Sequence, residues 1–187
     1  MNNVNLNSLP DNLPIPKDDG KCNHLKGMDI PNISLLTKNG DYLPLRRKES
    51  FRMVLYFYPM TGNPCKPLPK NWNNIPGARG CTLQNCSFRD NYEEIVKLNA
   101  LPIGITTQSI DEITEMTARL NINYDILSDC DLQLTKALNL PTFSIKNRVF
   151  IKRLTIIILN FKIIKVFYPI FPPNKHIFDI LKWLKVN

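Results

Sequence analysis

The chain has 187 residues, with 43% hydrophobic and 21% charged side chains and a formal net charge of +8. That length buries a core without metal or disulfide staples, and the balance is that of a globular protein. The positive charge suits an anionic partner, but the lysines are scattered and no run of five basic residues occurs, which argues against a nucleic-acid surface.

Residues 1–28 are polar and proline-broken, with no apolar signal core, and read as an irregular arm that packs loosely or wraps the domain that follows over 29–187. The longest apolar run, "LTIIIL", falls far short of the ~20 residues needed to cross a bilayer. No membrane partner is expected. In chain order, "DIPNISLLTKNGDYLPL" predicts two short strands around an Asn-Gly turn. "FRMVLYFY" predicts a central strand covered on both faces, ending at Pro59.

Residues 59–80 contain five prolines and three glycines, which exclude regular structure there. A loop this long inside a compact domain is usually functional. A helix is expected from Thr82 to about Leu98, with Phe88, Tyr92, Ile95 and Val96 as its buried stripe. "LPIGITT" predicts a strand. "SIDEITEMTARLN" predicts a helix with a capping box between Ser109 and Glu112. A short strand "YDILSD" and a helix "CDLQLTKALNL", ended by Pro141, come next. "RVFIKRLTIIIL" and "KIIKVFYPI" read as a strand pair about Asn160-Phe161, and a final amphipathic helix is apolar at 177, 178, 181 and 184. Alternation of strands and helices followed by a hairpin implies an α/β fold, a mixed central sheet with helices on both faces.

Five cysteines, at 22, 65, 81, 86 and 130, form an odd set with no export signal, so reduced thiols in a cytoplasmic setting are expected. Cys81 and Cys86 flank the first turns of the helix after the loop. Cys81 projects along the apolar stripe, whereas Cys86 shares a face with Asp90, Glu93 and Lys97. Cα atoms five apart in a helix are roughly 8–9 Å from each other, and a disulfide needs about 4.4–6.8 Å. The two sulfurs can bond only if the first turns unwind. A helix start favours an anion and lowers a thiol's pKa, and Arg79 adds positive charge two residues away. Two readings of the pair therefore stand: a nucleophile with a resolving partner, or two small buried hydrophobes. Zinc is disfavoured because the spacing is long and no second pair follows. His24 and His176 form no constellation with the pair, and Cys22, Cys65 and Cys130 have no assigned partner.

"VLYFYP…PGARGCTLQNCSFRDN", with "GITTQ", "ILSD" and "RLTIIIL", resembles the peroxiredoxins, nearest to their Q-type, or bacterioferritin comigratory, branch. The resemblance runs from about residue 29 to the C-terminus. It implies a thioredoxin-like fold and antioxidant, thiol-dependent reduction of hydroperoxides. It further implies Cys81 as peroxidatic cysteine, Cys86 as resolving cysteine and an intramolecular disulfide between them. Arg153 is implied as the arginine that approaches the nucleophile, and strand alternation puts it on one face with Thr155. The family's hydroxyl residue three before the nucleophile is Ala78 here. Either Thr61 folds back to supply that hydroxyl, or backbone amides serve alone. The loop, with Trp72 in it, is then either a lid or a rigid excursion. No cofactor or metal is implied. The expected reductant is thioredoxin or a similar dithiol, acting on a monomer or homodimer. The competing readings are a thioredoxin-like disulfide oxidoreductase, which the CxxxxC spacing disfavours, and a non-enzymatic redox sensor.

Overall fold

The computed structural model describes residues 5–6 and 8–187. Strand β3 (Arg52–Phe57) carries almost only buried apolar side chains and is an interior strand, paired along both edges. It runs parallel to β4 (Ala100–Thr106) and antiparallel to β8 (Leu154–Leu159). Beyond β4 come β5 (Ile126–Ser128), β1 (Ser34–Thr37) and β2 (Tyr42–Pro44); beyond β8 comes β9 (Lys162–Phe167). The seven strands form one mixed sheet in the order β2-β1-β5-β4-β3-β8-β9.

Alternation along β3 divides the interior into two layers. Met53, Leu55 and Phe57 face a core shared with Leu25 of the N-terminal arm and with Leu134 of the short helix α4 (Gln133–Ala137). Val54 and Tyr56 face the other core, built by α1 (Cys81–Asp90), α2 (Tyr92–Lys97), α3 (Ile110–Arg119) and α5 (His176–Val186). Helices thus cover both faces, as the pattern predicts. The α3 capping box forms: Ser109 Oγ accepts from the Glu112 amide, and Glu112 accepts from the Ser109 amide.

Four local expectations are corrected. The predicted single helix breaks at Asn91 (φ −112°, ψ 13°), which resets the phase of α2 and leaves Val96 45% exposed. In α5, Phe178 faces solvent and Ile180 takes its place in the core, because the packed face is centred on Ile177, Ile180, Leu181 and Leu184. "RVFIKRLTIIIL" is not one strand. β7 (Arg148–Ile151) pairs with a strand missed in the sequence, β6 (Thr142–Ile145), in a separate hairpin, and Lys152–Arg153 link it to β8 without belonging to either strand. The Lys152 amide donates to the Pro141 carbonyl, which ties off the hairpin. The loop 59–80, expected to hold no regular structure, contains one 3-10 turn, Trp72–Asn74.

Trp72 is buried, with ring centroids 5.1 Å from Phe150 and 5.8 Å from Phe143. It anchors the loop to the β6–β7 hairpin as a fixed excursion. The described residues 19–25 of the arm pack onto the rest of the chain. Cys22 and Leu25 are core residues, and Asp19 binds both Lys152 and Tyr168. Nearer its start, the Asn5 carbonyl accepts from Arg79.

Candidate active site

Gly80 precedes α1 in the left-handed region (φ +94°), where an L side chain is strained. A Cβ there would lie 2.4 Å from Pro173 Cγ and 2.9 Å from Leu9 Cδ2. Only glycine lets the loop meet the helix at this angle. Cys81 follows as the first helical residue and is 3% exposed. Among the described residues, the N-cap position, Gly80, supplies no side-chain cap, and the amides of a first helical turn have no intrahelical acceptor.

The Cys81 thiol donates to the Ala78 carbonyl at 3.5 Å, and Arg153 Nη2 donates to Cys81 Sγ at 3.2 Å. The same nitrogen donates to the carbonyls of Gly77 (3.2 Å) and Arg79 (3.1 Å), and Nη1 donates to Gln84 Oε1. One buried guanidinium therefore holds loop, helix and sulfur together. Register explains how it arrives. Thr155 pairs with Tyr56 across β3 and β8, so Arg153, two residues earlier, emerges on the α1 side of the sheet, the face it was expected to share with Thr155.

Sequence reasoning missed Gln84. It lies three residues after Cys81 and therefore beside it on the helix surface, and a polar residue so placed was the available signal. Tyr58 was missed as well. Its buried phenol lies well above the ordinary tyrosine pKa because of burial first and the nearby Cys81 sulfur second. Tyr58 Oη, Gln84 Nε2, Arg79 Nε and Arg153 Nε are buried with no hydrogen-bond partner among the described residues. Burial pulls Arg79 below its usual pKa, and the neighbouring sulfur opposes that shift.

Thr61 is not brought to the sulfur. Its amide and hydroxyl both donate to Gln108 Oε1, at 2.8 and 3.0 Å. It lines a separate cavity with Met60, Gln108 and Arg148. The cavity that reaches Arg153, about 280 Å³, is mostly apolar, with Pro16, Ile75, Phe143, Tyr168 and Ile170 in its wall.

Cys86, expected on the solvent side, is half-buried against the core that contains Tyr92, Leu120 and Tyr124. The segment after α3 covers that side of α1, and Arg89 Nη1 donates to the Leu120 carbonyl there. Burial raises the Cys86 thiol, offset in part by Arg89. All five cysteines are free thiols. Cys22 is pushed up to about 12 by burial and by Asp19 and Asp18, whereas Cys65 and Cys130 are exposed. His176 is buried, with Nε2 3.0 Å from Thr155 Oγ1, and His24 Nε2 lies 2.9 Å from the Leu138 carbonyl.

The profile of the AhpC/TSA family matches residues 72–167, more than half of the chain and including the whole of α1. The chain belongs to this family. It is a peroxiredoxin, a thiol-dependent peroxidase. It is 28% identical over 167 residues to peroxiredoxin Bcp of Escherichia coli, an alignment covering 87% of this chain and 97% of that one. It is also 28% identical over 160 residues to the chloroplastic peroxiredoxin Q of Arabidopsis thaliana, covering 86% of this chain and 67% of the relative. Among solved structures, peroxidoxin BcpB of Mycobacterium tuberculosis superposes with a TM-score of 0.71 at 23% identity, over 87% of this chain and 98% of that one. The thioredoxin-like architecture of this peroxiredoxin is the fold of those neighbours. Its substrate is a peroxide and its electrons come from a thiol. No helix among the described residues is long and apolar enough to cross a membrane.

Proposed function

We propose that Cys81 is the peroxidatic residue, Cys86 the resolving residue and Arg153 the group that stabilises both the thiolate and the departing oxygen. The observation that carries this reading is the 3.2 Å contact from Arg153 Nη2 to Cys81 Sγ at a buried helix start. The Cys81 thiolate attacks the terminal oxygen of a hydroperoxide. An S–O bond forms, the O–O bond breaks, and the alkoxide or hydroxide leaves with a proton as alcohol or water. The sulfur is left as a sulfenic acid. Arg153, the first-turn amides, the buried Tyr58 hydroxyl and the Gln84 amide are the groups available to the developing oxygen charge. With Thr61 committed to Gln108, these donors replace the hydroxyl missing at Ala78.

Cys86 then condenses with the sulfenic acid. Its sulfur bonds to that of Cys81, and the hydroxyl leaves as water. Because α1 is helical from its first residue, this step requires the first turns to unwind. An external dithiol, thioredoxin or a similar protein, reduces the disulfide by exchange. The cycle is complete within one chain, so it suits a monomer or a homodimer equally. Five free thiols fit a reducing compartment such as the cytoplasm. The apolar cavity beside Arg153 supports organic hydroperoxides as substrates alongside hydrogen peroxide. A bacterioferritin comigratory protein of Xanthomonas campestris, 18% identical with a TM-score of 0.64, is described by its alkyl peroxide reduction activity.

The test is NADPH-coupled peroxide turnover with a thioredoxin system. Cys81→Ser is expected to be inactive. Cys86→Ser is expected to consume one equivalent of peroxide and then stall until a small thiol is added. Sustained turnover by Cys81→Ser overturns the assignment.

A further inference from the structure

Beneath α1 lies a buried polar network centred on Asn85, whose amide also lies beside Tyr58. Asn85, the residue before Cys86, is fully buried in the middle of the helix. A primary amide placed there is costly unless both of its ends are bonded, and both are. Asn85 Oδ1 accepts from Tyr56 Oη at 2.8 Å, and Nδ2 donates to the Cys81 carbonyl at 2.9 Å. Tyr56 Oη lies 2.9 Å from Tyr124 Oη, which reaches the Asn85 carbonyl at 3.4 Å. The rings are held too: Tyr56 stacks on Phe88 with centroids 3.9 Å apart, and Tyr92 stacks on Tyr124 at 5.4 Å. The sheet leaves room for this arrangement, since a Cβ on Gly104 would sit 2.7 Å from the Tyr56 hydroxyl.

The Cys81 carbonyl is the acceptor that α-helical geometry assigns to the Asn85 amide. Asn85 thus holds the first turn twice, once through its backbone and once through its side chain. The other end of its side chain is fastened to β3, an interior strand of the sheet. Unwinding the 81–86 segment pulls the Asn85 amide out of both bonds. Tyr56 and Tyr124 keep each other, so the cost of opening falls mainly on Asn85.

We propose that Asn85 is a positioning residue that sets how readily the first turn of α1 opens, and so decides between disulfide formation and further oxidation of Cys81. The proposal rests on the reading that Cys81 and Cys86 form the disulfide. Two fates compete for the sulfenic acid. In the open form, Cys86 sulfur attacks Cys81 sulfur, the S–S bond forms, the S–O bond breaks and water leaves. In the closed form, Cys81 sulfur attacks a second hydroperoxide. A new S–O bond forms, the O–O bond breaks, and sulfinic acid results, with an alcohol from an organic hydroperoxide or water from hydrogen peroxide. A firmly closed helix favours the second fate at high peroxide.

The experiment measures Cys81 sulfinic acid per turnover by mass spectrometry during thioredoxin-coupled turnover at graded hydrogen peroxide, for wild type, Asn85→Ala and Tyr56→Phe. Stopped-flow measurement of the first step in a Cys86→Ser background accompanies it, and circular dichroism checks the fold. The loss of two net hydrogen bonds predicts about tenfold less sulfinic acid per turnover in Asn85→Ala, and several-fold less in Tyr56→Phe, with the first step changed by less than about threefold. A general loosening of the site would slow the first step as well. A wild-type disulfide with sulfinic acid yields unchanged or raised in folded variants overturns this proposal alone. Absence of a Cys81–Cys86 disulfide in the wild type overturns the pairing itself, and this proposal with it. If Asn85→Ala does not fold, Tyr56→Phe decides.

Discussion

Arg153 is the side chain whose removal separates two accounts of catalysis. It is 3% exposed and donates to four groups, of which Cys81 Sγ is one. A hydrogen bond to a charged group contributes about 1.5–3 kcal/mol, and 1.36 kcal/mol is one unit of thiol ionisation. If Arg153 acted only by favouring the thiolate, Arg153→Ala would forfeit at most that stabilisation, a factor of about 10 to 100. A more basic thiolate is also a better nucleophile, with β about 0.4–0.5, which returns about three- to tenfold. The net loss on that account is only about three- to tenfold.

Loss of a preorganised donor to developing oxygen charge costs about 10²–10³-fold. We expect a loss of at least that order in the second-order rate constant for sulfenic acid formation, measured by stopped flow in a Cys86→Ser background from pH 6 to pH 10. High pH diminishes any difference that arises from ionisation alone. A deficit of about 100-fold or more is expected to remain. Arg153→Lys keeps the charge but loses the fork that spans sulfur, loop and Gln84, and it is expected to recover only part of the rate. Parity with the wild type at pH 10, or an overshoot, would show that Arg153 works through ionisation alone and would refute the electrostatic account.

Other expectations follow from the same core. Burial, with the Arg153 charge nearby, lowers the His176 pKa to about 3. The folded state therefore binds fewer protons than the unfolded state as pH falls below the unfolded value of about 6.5, and stability is lost downward from there. Between pH 6.5 and pH 5, above the carboxylate range, urea unfolding should show a loss of about 1.5 kcal/mol, and His176→Asn should flatten that slope relative to wild type. Gly80→Ala should lower the unfolding free energy by about 2 kcal/mol or more, through left-handed strain and the Pro173 contact. A change under about 0.5 kcal/mol would mean that the loop relaxes freely there.

What this sequence determined alone is the physics of near neighbours. The apolar content of 52–57 made β3, the Ser109–Glu112 pair capped α3, and the Asn160-Phe161 turn, with both residues at positive φ, closed the last hairpin. A glycine followed by cysteine marked the start of α1, and the spacing to Cys86 already meant that a bond between the two sulfurs would need the helix to unwind. Tertiary structure decided the rest. Arg153 meets Cys81 across 72 residues of sequence, and Asn85 meets Tyr56 across 29. Periodicity read from Phe88 misplaced Val96 because helical phase is lost at a break, and it left Cys86 in solvent because the segment carrying Leu120 and Tyr124 is invisible to a helical wheel. Thr61 was one candidate for the hydroxyl that the family resemblance implies and Ala78 lacks, yet its own hydroxyl donates to Gln108. A buried hydroxyl or amide takes whatever partner the packed chain brings within about 3 Å, and which partner that is depends on how the layers close, not on the residues beside it.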